Sequence, residues 1–174
     1  MTRVLRSSLD RLYNVSAVGA AVCLVALLVI IVLQMAARWM DVEFPGSTQY
    51  AGYLMASSSF LAFAHALNRG AHIRVNLMLT ALGRHRFWGE LWAMAIGTAA
   101  ASYLARYAVK TVYWSWKLHD VSQGQDATPL WIVQIPMAFG AVLLAVAFFD
   151  NFITLIATRH DNIRSGVVDQ AFGE

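Results

Sequence analysis

Polar positions in this chain gather in clusters, and between the clusters lie four long apolar stretches. The clearest, Val15 to Ala37, is 23 residues without a charge, rich in Val, Leu and Ile, with Gln34 as its strongly polar member. An α-helix rises about 1.5 Å per residue, so about 20 apolar residues cross the roughly 30 Å of bilayer hydrocarbon. On that test the pattern predicts spans over about 15–37, 50–67, 88–112 and 130–156. The second follows the turn signal Pro45-Gly46 and is rich in small residues such as Gly52, Ala56 and Ala64, with Ser57, Ser58 and Ser59 placed to return hydroxyl hydrogen bonds to the helix backbone. The third is interrupted by Arg106 and Lys110, four residues apart on one face near one end, where long side chains snorkel to the headgroups. Aromatics mark both of its interfaces, Phe87, Trp88 and Trp92 at one end and Tyr107, Tyr113, Trp114 and Trp116 at the other. The fourth opens on Thr128-Pro129, an N-cap followed by proline at the first helical position. Pro136, about two turns in, removes a donor and bends the helix unless Gln134 or a neighbouring chain satisfies the freed carbonyl.

Composition points the same way. Hydrophobic residues make up 59% and charged residues 13%, against about 25% charged in ordinary soluble domains, which argues strongly against a soluble enzyme. A secretory signal has an apolar core of only about 7 to 15 residues, so the first stretch reads as an uncleaved anchor even though Met35, Ala36 and Ala37 imitate a cleavage site. The single cysteine, Cys23, sits in an apolar run without a partner in the chain, which removes intrachain disulfides, CxxC chemistry and cysteine-based zinc sites. The expectation is one membrane domain over residues 1–174, an all-α integral membrane protein of four transmembrane helices, with a polar tail over 159–174.

Charge sets the expected orientation. The net charge of +3 comes from 13 Lys and Arg against 10 Asp and Glu, and the cations are unevenly placed. Arg3, Arg6, Arg11, Arg69, Arg74, Arg84, Arg86, Arg159 and Arg164 fall on the side of the termini and the middle loop, against Arg38 and Lys117 on the other. The positive-inside rule then places both N and C termini in the cytoplasm, and the basic balance means orientation and anionic lipid, with no nucleic acid partner. In the middle loop, Gly70 to Arg86 mixes apolar Ile73, Leu77, Met78, Ala81 and Leu82 with Arg74, Arg84, His85 and Arg86, and Gly83 is a natural stop, which fits a short interfacial helix over about 73–83. The opposite loop, Tyr113 to Pro129, with Asp120 and Asp126, is either a contact surface for something outside or a solvated connector.

Catalytic and cofactor chemistry find little support. A bis-histidine haem needs histidines on facing helices at membrane depth, yet of the five histidines only His65 lies within a span, near its cytoplasmic end. The centres of all four spans lack Asp and Glu, which disfavours a proton pump or a small multidrug exporter. With no glycine-rich phosphate loop, nucleophile elbow or HExxH, the chain reads as no enzyme, with no catalytic, substrate, cofactor or metal residue to assign. A quiet helical module of this kind serves a partner.

Two segments carry a family resemblance. Ala64 to Leu79, AHALNRGAHIRVNLML, is similar to the signature at the end of the second helix of the small permease subunit of tripartite ATP-independent periplasmic (TRAP) transporters, the DctQ-like family. The fourth helix, TPLWIVQIPMAFGAVLLAV, resembles that family's Trp, Pro and small-residue pattern at Trp131, Pro136 and Gly140. The chain departs from the family where Gln49 and Asn76 replace acidic residues and where Ser57 and Ala62 replace a Trp and a Gly. The resemblance implies a small subunit in the bacterial inner membrane, within a sodium-coupled secondary transporter for organic acid uptake. Its partners would be a large multi-helix permease subunit, which carries the substrate and sodium sites, a periplasmic substrate-binding protein, and membrane lipids. The chain's role would be to brace the large subunit, and it would hold no cofactor. Family position and physics together make Arg69, His72, Arg74, Arg106 and Lys110 headgroup anchors, Arg106 and Lys110 alternatively partner contacts, and Trp131, Pro136 and Gly140 structural or interface residues. Two further classes remain as alternatives: a membrane-anchor subunit of a respiratory complex, with or without haem b, and a standalone small transporter.

Overall fold

The computed structural model of the chain describes residues 3–68, 86–124 and 127–158. These form four helices, α1 Arg3–Trp39, α2 Ser47–Asn68, α3 Arg86–Leu118 and α4 Leu130–Thr158. The expected interfacial helix at 73–83, the anchors Arg69, His72 and Arg74, Asp126 and the tail over 159–174 lie outside the described residues.

Each helix outruns its apolar core. At about 1.5 Å per residue the 37 residues of α1 extend about 55 Å. It starts twelve residues before the uncharged run, because the segment from Arg3 to Asn14 contains no glycine or proline and repeats Leu5, Leu9, Leu12 and Tyr13 at helical spacing. That stripe is used: Tyr13 is buried and Leu9 packs against the core around it. Two helices, over Arg11–Trp39 and Leu130–Ile156, are both long and apolar enough to cross a membrane. The 22 residues of α2 and the 33 of α3 have the length, but serines in α2 and charges at Arg106, Lys110 and Lys117 in α3 make them more polar than the length test alone registers.

The helices lie in a row. Extensive contacts join α1 to α2, α2 to α4 and α4 to α3, so α2 and α4 are central and α1 and α3 form the two edges. Small residues set the junctions. Between α2 and α4, a Cβ on Gly140 would stand 2.5 Å from the carbonyl carbon and oxygen of Phe60, so only glycine lets the two backbones cross there. Between α1 and α2, Gly19 faces Leu61, and the Ser16 hydroxyl donates to the Leu61 carbonyl. Between α3 and α4, a Cβ on Gly97 would come within 2.6 Å of the Phe148 ring. Tyr13, Ala64, Leu67, Leu143 and Ala147 make the core, toward the terminal end of the row.

At the opposite, loop end, α1 and α3 stop in the same way. Val42 N–H returns to the Ala37 carbonyl at 2.9 Å with Asp41 at φ 52°, and Asp120 N–H returns to the Ser115 carbonyl at 3.0 Å with His119 at φ 54°. Both are six-to-one closures through a left-handed residue, the usual way of satisfying the last carbonyls of a helix. Gly46, at φ 77°, then turns the chain into α2, its carbonyl accepting from Tyr50 N–H at 3.1 Å.

Candidate functional site

The loop between α3 and α4 is a built element. Val121 pairs with Pro129 in an antiparallel bridge, Ser122 N–H donates to the Thr128 carbonyl at 2.8 Å, and Leu130 N–H donates to the Asp120 carbonyl at 3.0 Å. The bridge takes up the proline expected to open the fourth helix, so α4 begins one residue later, at Leu130. Two tyrosines of α2 hold this loop from the side. Tyr53 donates its phenolic proton to Ser122 Oγ at 2.7 Å, and Ser122 Oγ in turn accepts from Gly124 N–H at 3.2 Å. Tyr50 and Thr128 share a hydroxyl hydrogen bond of 3.1 Å. The tyrosine rings brace each other edge to face at 6.3 Å. The first turns of α2 are thereby tied to the entry of α4, and both helices run in the same direction from that end.

The edges present apolar surface. On α1, Tyr13, Ser16 and Ala20 are the buried residues, all on the face toward α2, whereas Val15 is 67% exposed and Val18, Val22, Val25 and Val29 are exposed with it. On α3, Ala101, Ala105 and Ser115 are buried against α4, and Trp92, Ile96, Tyr103 and Tyr107 face outward. A soluble protein of this size does not leave two such faces open, and contiguous apolar surface on this scale marks lipid or a protein partner.

The predicted residues separate into two groups. Arg106 and Lys110 are exposed on α3, off the junction with α4. Lys110 lies 5.8 Å from the Tyr107 ring centre, and Lys117 is 5.2 Å from that of Trp114, so the cations run along an aromatic stripe with Tyr103 and Tyr107 stacked 4.4 Å apart. Trp131, Pro136 and Gly140 all lie on α4. Trp131 and Pro136 are half-buried, the helix runs on through Pro136, and Gly140 is the crossing point with α2. Gln134 Oε1 is buried without a hydrogen-bond partner among the described residues, as are Asp150 Oδ1 and Asn151 Oδ1. Asn151 Nδ2 is bonded within its own helix, to the Ala147 carbonyl at 2.9 Å.

Sequence reasoning missed the tyrosine pair, Gly97 and Ser16. The tyrosines stand three apart, on one helix face, and the loop after α3 carries Ser and Thr hydroxyls, which is a weak signal. Gly97 and Gly140 are glycines in otherwise apolar helices, which is a stronger one. The two described histidines, His65 near the end of α2 and His119 after α3, lie at opposite ends of the row and cannot ligate one iron.

No curated protein and no solved structure matches the chain. Residues 27–158 match the family described as tripartite ATP-independent periplasmic transporters, DctQ component, a stretch that takes in the C-terminal part of α1, from residue 27 on, and all of α2, α3 and α4. The chain belongs to the DctQ component family of these transporters, and is a membrane component of such a system.

Proposed function

We propose that the chain is the small membrane subunit that braces the large permease subunit of a sodium-coupled TRAP transporter for organic acids, and that it takes no part in binding the substrate. The observation that carries this reading is the open row: two edge helices, each packed on one side only, leave long apolar faces for a larger membrane protein and for lipid. The four helices cross the bacterial inner membrane, with both termini in the cytoplasm and the tyrosine-held loop end in the periplasm. This orientation follows the cation distribution and puts Arg106, Lys110, Lys117 and their aromatic stripe toward the periplasmic headgroups. Arg69, His72 and Arg74 anchor the cytoplasmic turn to anionic lipid. The described residues place no group of three or more His, Cys, Asp or Glu where a metal ion would bind, and the four described helices are continuous, unlike the broken helices that transport sites use.

The test is reconstitution. Vesicles holding the large subunit and this chain, supplied with the periplasmic binding protein and a sodium gradient, are expected to take up the organic acid, and vesicles lacking this chain are not. Uptake by this chain alone overturns the bracing role, and uptake by the large subunit alone shows that bracing is not required.

A further inference from the structure

The loop end contains a cavity of about 420 Å³ between the last turn of α1 and the first of α2, within the range of about 300–1,000 Å³ typical of small-ligand sites. We propose that it is a binding site for the headgroup of a zwitterionic aminophospholipid, phosphate inward and ammonium toward the turn. The proposal rests on α1 crossing the bilayer and not on which subunit the chain braces.

Three features of the cavity call for a phosphate. Ser47 lines it, only 3% exposed as a residue while its hydroxyl oxygen stays accessible, and that hydroxyl has no hydrogen-bond partner among the described residues. Ser47 also opens α2, a helix of 22 residues, so the unpaired N–H groups and positive dipole end of that helix lie at the same place. Arg38 lines the cavity from the last turn of α1 and makes no ion pair among the described residues.

A simple anion does not match the surroundings. The turn between α1 and α2 carries Asp41 and Glu43, both exposed, three and five residues after Arg38 and on either side of the cavity-lining Val42, so the approach to the cavity carries carboxylates as well as a cation. A ligand with an ammonium next to its phosphate satisfies both signs. Position favours a lipid over free phosphate. Arg38 lies 27 residues beyond Arg11 in the apolar helix, about 40 Å along its axis and therefore at headgroup depth. Met35, Val42 and Phe44 line the cavity for the start of an acyl chain, and the adjacent Trp39 is 84% exposed, as an interfacial tryptophan is.

The experiment is native mass spectrometry of the full chain, delipidated in detergent and titrated separately with phosphatidylethanolamine, phosphatidylglycerol and inorganic phosphate. Phosphatidylethanolamine is expected to be retained in preference. Arg38→Gln is expected to weaken it about tenfold, the loss of one charge-assisted contact, and Ser47→Ala severalfold. The double variant D41N/E43Q is expected to reverse the preference toward phosphatidylglycerol, with helix content by circular dichroism showing that each variant is folded. Equal retention of phosphatidylglycerol by the unmodified chain, displacement of lipid by millimolar phosphate, or unchanged retention in folded Arg38→Gln would each overturn the proposal.

Discussion

The α2–α4 junction and the α3–α4 junction both close on a glycine, but they answer to different neighbours. Gly140 meets the backbone of Phe60 and Leu61, which moves only if the whole helix moves. Gly97 meets the ring of Phe148, a side chain with other rotamers available. The same residue type therefore marks a rigid crossing at the centre of the row and a yielding one toward its edge. The fold tolerates change in proportion to what the missing methyl group would touch.

This difference ranks the substitutions. Gly140→Ala is expected to be the most damaging, at about 3 kcal/mol or more, since overpacking a junction against backbone forces helix displacement. Equilibrium unfolding in detergent would measure it, and a change below that of Gly97→Ala would break the comparison. Gly97→Ala is expected to cost about 1 kcal/mol in the same assay, because Phe148 swings aside. Tyr53→Phe removes the hydrogen bond to Ser122 and is expected to cost about 1 kcal/mol, with faster amide exchange confined to the α3–α4 loop. Gly52→Ala has nothing within 4 Å of the new methyl group, so it is expected to stabilise α2 by about 0.5 kcal/mol through helix propensity alone. Paired substitution of Val25 and Val29 by serine, on the open face of α1, is expected to leave the isolated chain's stability nearly unchanged while lowering co-purification of the large subunit. An equal loss of stability would mean that this face belongs to the chain's own fold.

Much of the architecture was legible in the sequence. Four helices follow from four apolar runs bounded by Pro45-Gly46, the basic middle loop and Thr128-Pro129, and Gly140 is marked by the family's Trp, Pro and small-residue pattern in the fourth helix. The row was not legible, because apolar periodicity in a membrane helix does not distinguish a lipid-facing valine from one that faces another helix. Nor was the early start of α1, since Arg6, Asp10 and Arg11 break the uncharged run while the Leu9 and Tyr13 stripe beneath them continues. The tyrosine-held loop escaped for a third reason: its bonds join residues 69 and 78 positions apart, and no local pattern encodes such pairs.

The row divides the chain into two hairpins, α1 with α2 and α3 with α4, joined chiefly along the α2–α4 seam, which Tyr13 reaches from the first hairpin. Each hairpin carries its own junction, so on the proposed membrane reading each is expected to enter the bilayer as a pair and to meet the other afterwards. A chain severed between the hairpins and co-expressed as two pieces is then expected to reassemble, with the seam at Gly140 and the tyrosine bonds to Ser122 and Thr128 as its docking code.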